Sequence, residues 1–222
     1  MQKFDTPAAV RTVLDIPAGR IQFIAADRAD TTVEVRPADP ARDRDVKAAE
    51  QTEVAYADGV LRIQAPQPTN RVLGTAGAVE VTVQLPAGSH VRATSSAAEF
   101  RGVGRLGEVA FDGGHGSVKL DEATAARLTG LDADIWVGRL NGGGEIRTLR
   151  GNVHIAEAGH GALALSTEQG DITVTAARGV SATLDAGTAY GRIDNALHNS
   201  GATPALTIKA TVAQGDITAR SL

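Results

Sequence analysis

The sequence predicts an all-β fold, a right-handed parallel β-helix or β-solenoid with about 18–20 residues per rung. Three observations lead to this prediction. A five-residue alternating pattern recurs along the C-terminal two thirds of the chain, and a second alternating segment lies between its successive copies. The chain also contains 25 glycines among 222 residues but only 3% aromatic residues, which is typical of a β protein with many tight turns and an aliphatic core.

The repeated pattern consists of a small residue, a polar residue, an aliphatic residue, a second polar residue and, in most copies, a second apolar residue. Its copies begin at Ala98, Gly116, Ala133, Gly151, Gly170, Gly191 and Gly215. Successive start positions therefore differ by 18, 17, 18, 19, 21 and 24 residues. Such a rung is too short for a strand–helix–strand unit, which needs about 30 residues. Like strands are therefore expected to stack in parallel, and the general preference of parallel crossovers predicts a right-handed coil.

Stacking the copies in sequence order separates apolar columns from polar ones. The first inward column is apolar throughout: Phe100, Val118, Ile135, Val153, Ile172, Ile193 and Ile217. The second is mostly apolar: Gly102, Leu120, Val137, Ile155, Val174, Asn195 and Ala219. The first outward column is polar: Glu99, Ser117, Asp134, Asn152, Asp171, Arg192 and Asp216. In this order Asn152 or Arg192 separates each Asp from the next, which avoids stacking carboxylates at about 4.8 Å.

The chain is predicted to be a single β-solenoid domain over 1–222, with an irregular β segment at 1–78 and the regular coil at 79–222. Residues 14–23 and 83–92 both read as strand, Pro-Ala-Gly turn and strand. Further strands are expected at 32–36, 59–63 and 79–85. Residues 37–51 are polar and predict an excursion from the coil with one helical turn, and 67–75 predict a loop.

The segment from Val79 to Gly88, followed by repeated Gly-Asp-Ile-Thr units, resembles the DUF4097 family of β-strand-repeat proteins known as "putative adhesins". Its closest copies are Gly170 to Val174 and Gly215 to Ala219. The resemblance covers most of the chain and implies a parallel β-helix or β-roll. It implies little about activity, since the motif is a repeat signature without catalytic residues.

Composition excludes several functional classes. The net charge of -4 and pI near 5.7 argue against a nucleic-acid partner. The chain contains no cysteine, so disulfides and thiolate metal sites are excluded. It shows no signal peptide or membrane span, which predicts a cytoplasmic protein.

The sequence GxGxxG at 102–107 is followed by a strand pattern at 108–111 rather than a helix, so these glycines are interpreted as turn residues and not as a nucleotide-binding loop. No cofactor and no metal are predicted.

One outward face is the candidate binding surface. Its residues are Arg101, Lys119, Trp136 and His154. Trp136 is the chain's single Trp. An outward indole flanked by cations can stack on a sugar ring or anchor a protein partner.

Three functions follow, in order of preference. The first is a non-enzymatic binding or scaffolding domain for a protein or carbohydrate partner. The alternative is a self-assembling structural protein, because the C-terminal strand at 215–219 is expected to be an uncapped edge that could pair with another copy. The third is a polysaccharide-acting enzyme that uses Asp134 and Asp171. Their expected separation of about 9–10 Å is near that of inverting glycosidases.

Overall fold

The computed structural model describes residues 1–66, 77–201 and 203–222. Within these ranges the chain is almost entirely β-strand, with one helix, and it divides into two compact units: an N-terminal unit, Met1–Gly116, and a C-terminal unit, Ser117–Leu222. The long extended segment β8 (His90–Thr129) contributes to both. The loop predicted at 67–75 lies outside the described residues.

The N-terminal unit combines parallel stacking with antiparallel additions. Its elements are β1 (Gln2–Asp5), β2 (Arg11–Asp15), β3 (Ala18–Ala26), β4 (Asp30–Pro37), α1 (Asp43–Gln51), β5 (Glu53–Ala57), β6 (Val60–Gln64), β7 (Val79–Pro86) and the first part of β8. Strand β2 lies in parallel between β6 and β8, and β3 lies in parallel between β7 and β8. Strand β4 pairs antiparallel with β1 and β7, and β5 pairs antiparallel with β6. The strands predicted at 32–36, 59–63 and 79–85 are thereby confirmed.

The polar excursion at 37–51 forms more helix than the single turn expected. Helix α1 spans nine residues and packs against β4 and β7. Its buried Asp45 accepts a hydrogen bond from the backbone N–H of Ala78 at 2.9 Å, and the Arg44 guanidinium lies 3.6 Å from the same carboxylate. The helix buries Asp45 and Ala48, and Val46, its one large apolar residue, is half-buried. Its sequence is therefore strongly polar overall and lacks the large apolar residues by which a core-facing helix is usually recognised. No helix in the described ranges has the length and hydrophobicity to cross a membrane.

The C-terminal unit is a coil with two strands in each rung. Its elements after β8 are β9 (Asp132–Leu140), β10 (Gly144–Arg150), β11 (Val153–Ala158), β12 (Gly161–Gln169), β13 (Ile172–Ala176), β14 (Ala182–Tyr190), β15 (Ile193–Ala196), β16 (Leu206–Gln214) and β17 (Ile217–Ser221). We call the parallel stack β9, β11, β13, β17, β15 ladder A, and the parallel stack β10, β12, β16, β14 ladder B. The predicted solenoid architecture is confirmed; its right-handedness stays a prediction.

The last two rungs stack in the reverse of their sequence order. Strand β17 lies between β13 and β15, and β16 lies between β12 and β14. The expectation that the C-terminal strand forms an open edge is therefore wrong, because β17 is paired on both sides. The chain passes over one rung position to build β14 and β15, then returns to fill the gap. We call the rung of β14 and β15 the end rung.

The inward columns form the core, except at the end rung. All members of the first column are buried but Ile193, which is 45% exposed. In the second column Asn195 is exposed while the remaining positions are buried. Residues of an end rung have a neighbour on one side only, which explains both exceptions.

Candidate functional site: an open groove and an aromatic surface

An open groove of about 890 Å³ crosses ladder B. It is lined by residues 129–131, 147–149, 166–168, 211–213 and 187–189, in the order of the stacked rungs. Four steps between neighbouring parallel strands give it a length of about 19 Å. A groove that crosses the strands in this way suits an extended, chain-like ligand.

The groove changes character from one end to the other. At the first end, Leu131 in the bend between β8 and β9 and Leu149 on the outward face of β10 are 50% and 47% exposed, so two large apolar side chains of one groove are open to solvent. The outward row that begins at Arg147 continues through small side chains: Ser166, Thr211 and Gly187. A parallel row leads from Leu149 through Glu168, Ala213 and Ala189. The groove is therefore apolar at one end, where Arg147 also lies, and lined by small side chains at the other, with the carboxylate of Glu168 between the two ends.

Buried threonines hold the wall of the groove at the corner of the coil. Thr148 Oγ1 donates to the carbonyl of Ala133 at 3.2 Å, and Thr167 Oγ1 donates to the carbonyl of Gly151 at 3.1 Å. These bonds satisfy hydroxyls that have little access to water. They fix the strand ends that present Leu149 and Glu168.

Trp136 and His154 form a second surface, on ladder A. They face each other in register on β9 and β11, with ring centroids 6.3 Å apart and ring planes 10° apart. The indole lies along its own strand over Gly138, where an added Cβ would come within 3.1 Å of the ring. Trp136 remains 39% exposed. The stack is therefore a flat, partly open aromatic platform.

Burial lowers the pKa of His154 below its usual value, and the positive charge of Arg220 lowers it further. Both effects disfavour the imidazolium. At neutral pH the platform therefore consists of two uncharged rings, so His154 does not act as one of the cations that the sequence analysis placed beside the indole.

The other two residues of the predicted face, Arg101 and Lys119, both lie on β8. Arg101 belongs to the N-terminal unit, where it is exposed on β8 in register with Gln22. Lys119 belongs to the C-terminal unit and is exposed on β8. Of the predicted set, the structure shows a direct side-chain stack between Trp136 and His154.

Asp134 and Asp171 belong to a chain of side-chain to backbone hydrogen bonds that runs along the corner of ladder A. The N–H of Asn152 donates to Asp134 Oδ1, the N–H of Asp171 donates to Asn152 Oδ1, and the N–H of Asp216 donates to Asp171 Oδ1, each at 2.8 Å. The N–H of Arg192 closes the series on Asp216 Oδ1, also at 2.8 Å. Asp171 and Asp216 are thus direct neighbours, so the predicted separation of every Asp by Asn152 or Arg192 is wrong. The Oδ1 atom of each of these Asp residues instead accepts one backbone hydrogen bond.

The groove was not predicted from the sequence. The available signal was the pair Leu131 and Leu149, two apolar residues where polar outward residues are expected. The row of small residues could not be assembled from the sequence, because it follows the reversed order of the last two rungs.

The family model described as Toastrack DUF4097 matches residues 8–220. The fold is similar to the crystal structure of a putative adhesin from Bacteroides fragilis, with a TM-score of 0.60, 13% identity, and coverage of 100% of this chain and 95% of that chain. A putative adhesin from Parabacteroides distasonis matches with a TM-score of 0.40 and 16% identity, over 100% of this chain and 95% of that one. No curated protein matches. The chain belongs to the DUF4097, or Toastrack, family.

Proposed function

We propose that this protein is a non-enzymatic binding domain whose groove across ladder B holds an extended segment of a partner protein. The observation that carries the proposal is the exposure of Leu131 and Leu149 at one end of a groove about 890 Å³ in volume. Exposed apolar side chains in a concave site commonly anchor an apolar side chain of a partner. The description of structural relatives as adhesins is consistent with a binding role.

The two ends of the groove fit different parts of such a segment. The leucines accept an aliphatic or aromatic anchor. The shallow side chains Ser166, Thr211 and Gly187 let the main chain of the segment lie close to the sheet. Arg147 supplies a positively charged donor group and Glu168 a negatively charged acceptor group. Because these charges balance, the site favours a segment that is not strongly charged.

A peptide display library tests this function. Screening random peptides on the immobilised protein should enrich sequences that share an apolar anchor, with affinity then measured by fluorescence anisotropy. Leu149→Asp should weaken the binding of an enriched peptide at least about tenfold, because it places a carboxylate in the apolar end. Leu222→Asp is the matched control, since Leu222 is an exposed leucine outside the groove. Failure to enrich any peptide family, or equal affinities for wild type and Leu149→Asp, would refute the proposal.

A second candidate is carbohydrate binding at the Trp136 platform. It is supported by the partly exposed indole stacked on an uncharged imidazole, a flat surface on which a sugar ring can lie. A glycan array distinguishes the two candidates: glycan binding that is lost in Trp136→Ala and kept in Leu149→Asp would favour this surface over the groove.

The enzymatic alternative ranks below both. Asp134 and Asp171 each accept a backbone hydrogen bond in the corner series, which supplies a structural reason for carboxylates at these positions. The cytoplasmic location inferred from the sequence also stays a prediction, and fractionation of the native cells would test it.

A further inference from the structure

The end rung is the least protected part of the C-terminal unit. Strand β14 pairs with β16 and strand β15 pairs with β17, and among the described strands neither has a partner on its other side. Ile193 is 45% exposed, whereas Ile172 and Ile217 in the same column are 0% and 1% exposed. Tyr190 at the corner is 76% exposed. An unpaired strand edge thus borders exposed apolar side chains of the end rung, which cover the buried core beneath them.

Strand β14 has none of the features that normally prevent edge pairing. Monomeric β proteins protect an exposed edge with lysine, proline, a bulge or a very short strand. The sequence Ala-Thr-Leu-Asp-Ala-Gly-Thr-Ala-Tyr of β14 contains neither lysine nor proline, spans nine residues, and keeps a regular register with β16. Its one charged residue is Asp185. The edge is therefore competent to accept another strand.

We infer that two copies of this chain associate through their end rungs, with β14 of one copy pairing antiparallel with β14 of the other. A two-fold axis requires the antiparallel direction, because it applies the same edge to itself. Pairing centred on Ala186 places Asp185 opposite Gly187 and Leu184 opposite Thr188. No two like charges then stand directly opposite each other across the axis.

A second copy fits this surface for two reasons. It brings a strand of the same length, so the backbone groups along the unpaired edge gain partners; at the start of β14 the N–H of Ala182 already donates to the carbonyl of His198. It also brings the same exposed end rung, so Ile193 and Leu184 of each copy are covered by equivalent apolar side chains. A single peptide strand added to β14 would pair with the edge but would leave Ile193 on β15 exposed.

Sedimentation velocity over a range of concentrations measures the association. The wild-type chain should show a reversible monomer–dimer equilibrium. Ile193→Lys combined with Tyr190→Lys should raise the dissociation constant at least about tenfold, because lysine at a strand edge opposes pairing. Ala162→Lys is the control for an added lysine away from the edge: it lies at an exposed position of β12, a strand paired on both sides and two rungs from the end, and should leave the dissociation constant unchanged.

Cross-linking tests the pairing itself and does not depend on the stability of the lysine variants. The chain contains no cysteine, and a Cβ at Gly187 meets no atom within 4 Å. Gly187→Cys should therefore form a covalent dimer with a short bis-maleimide, whereas Ala162→Cys should not. A wild-type chain that stays monomeric at all concentrations, one that forms filaments, or equal cross-linking of the two cysteine variants would overturn the inference.

Discussion

The stack of Trp136 on His154 couples the charge of one imidazole to the only indole in the chain. The pKa of His154 lies below its usual value because burial and the charge of Arg220 disfavour the imidazolium. The folded protein therefore binds the proton less readily than the unfolded chain. The contribution of His154 to the stability of the fold is therefore complete at a pH above the pKa of histidine in the unfolded chain, about 6.5. It decreases as the pH falls below that pKa.

The lowered pKa of His154 can be measured by tryptophan fluorescence. A pH titration of the folded protein should show an emission change with a midpoint below about 6.5, since the proton enters beside the ring. His154→Gln should remove the transition while keeping a planar polar group against the indole. A midpoint at or above the usual histidine value would contradict the stated environment of His154.

Among single elements, the corner glycines explain why five of the seven copies of the repeat begin with Gly. Gly151, Gly170 and Gly215 have φ of 129°, 137° and 146°. A Cβ on Gly170 would lie 2.2 Å from the carbonyl oxygen of Gly151, and a Cβ on Gly215 would lie 2.1 Å from that of Gly170. Each corner thus needs both the backbone freedom of glycine and its lack of a side chain. The following Asp or Asn then accepts the N–H of its counterpart in the next rung.

Gly170→Ala should destabilise the protein by about 2–4 kcal/mol, through the unfavourable φ and the contact with Gly151. Gly187→Ala is the control, because a Cβ there meets no atom within 4 Å and its φ is not in the left-handed region. It should change the free energy of unfolding by less than about 1 kcal/mol. Urea denaturation of the two variants measures both values, and equal stabilities would show that the corner tolerates a side chain.

Elements that carry a strong periodic pattern could be predicted from the sequence. The strands β9, β11, β13 and β17 follow from alternation, and burial of Ile135, Val153 and Ile172 follows from the column they share. The length of helix α1 was underestimated, since a strongly polar helix that buries alanine and one hydrogen-bonded Asp has few large apolar residues to indicate it. The groove depended on contacts between rungs that sequence spacing does not determine.

On the scale of the whole molecule, the order of the rungs limits what the sequence can reveal. Steps of 18 and 19 residues match direct stacking, as in Val153 with Ile135 and Ile172 with Val153. The longer steps of 21 and 24 residues gave the one sign that the last rungs depart from this order. Stacking the last two rungs in sequence order or in reversed order would bury the same kinds of residue in the same columns. The repeat pattern therefore cannot distinguish the two stacking orders. The structure divides into two compact units, and the grouping of both into one domain over 1–222 stays a prediction.

The reversed order makes a prediction about local stability that opposes the usual behaviour of chain ends. Strands β16 and β17 lie near the C-terminus but are paired on both sides, whereas β14 and β15 are paired on one side. Hydrogen exchange measured by mass spectrometry on dilute, monomeric protein should therefore show slower exchange in 206–214 and 217–221 than in 182–190 and 193–196. The same measurement on Ile193→Lys with Tyr190→Lys serves as a control for protection by self-association. Fast exchange of 217–221 together with slow exchange of 193–196 would mean that the rungs stack in sequence order, because the outermost rung exchanges first when a coil opens from its end.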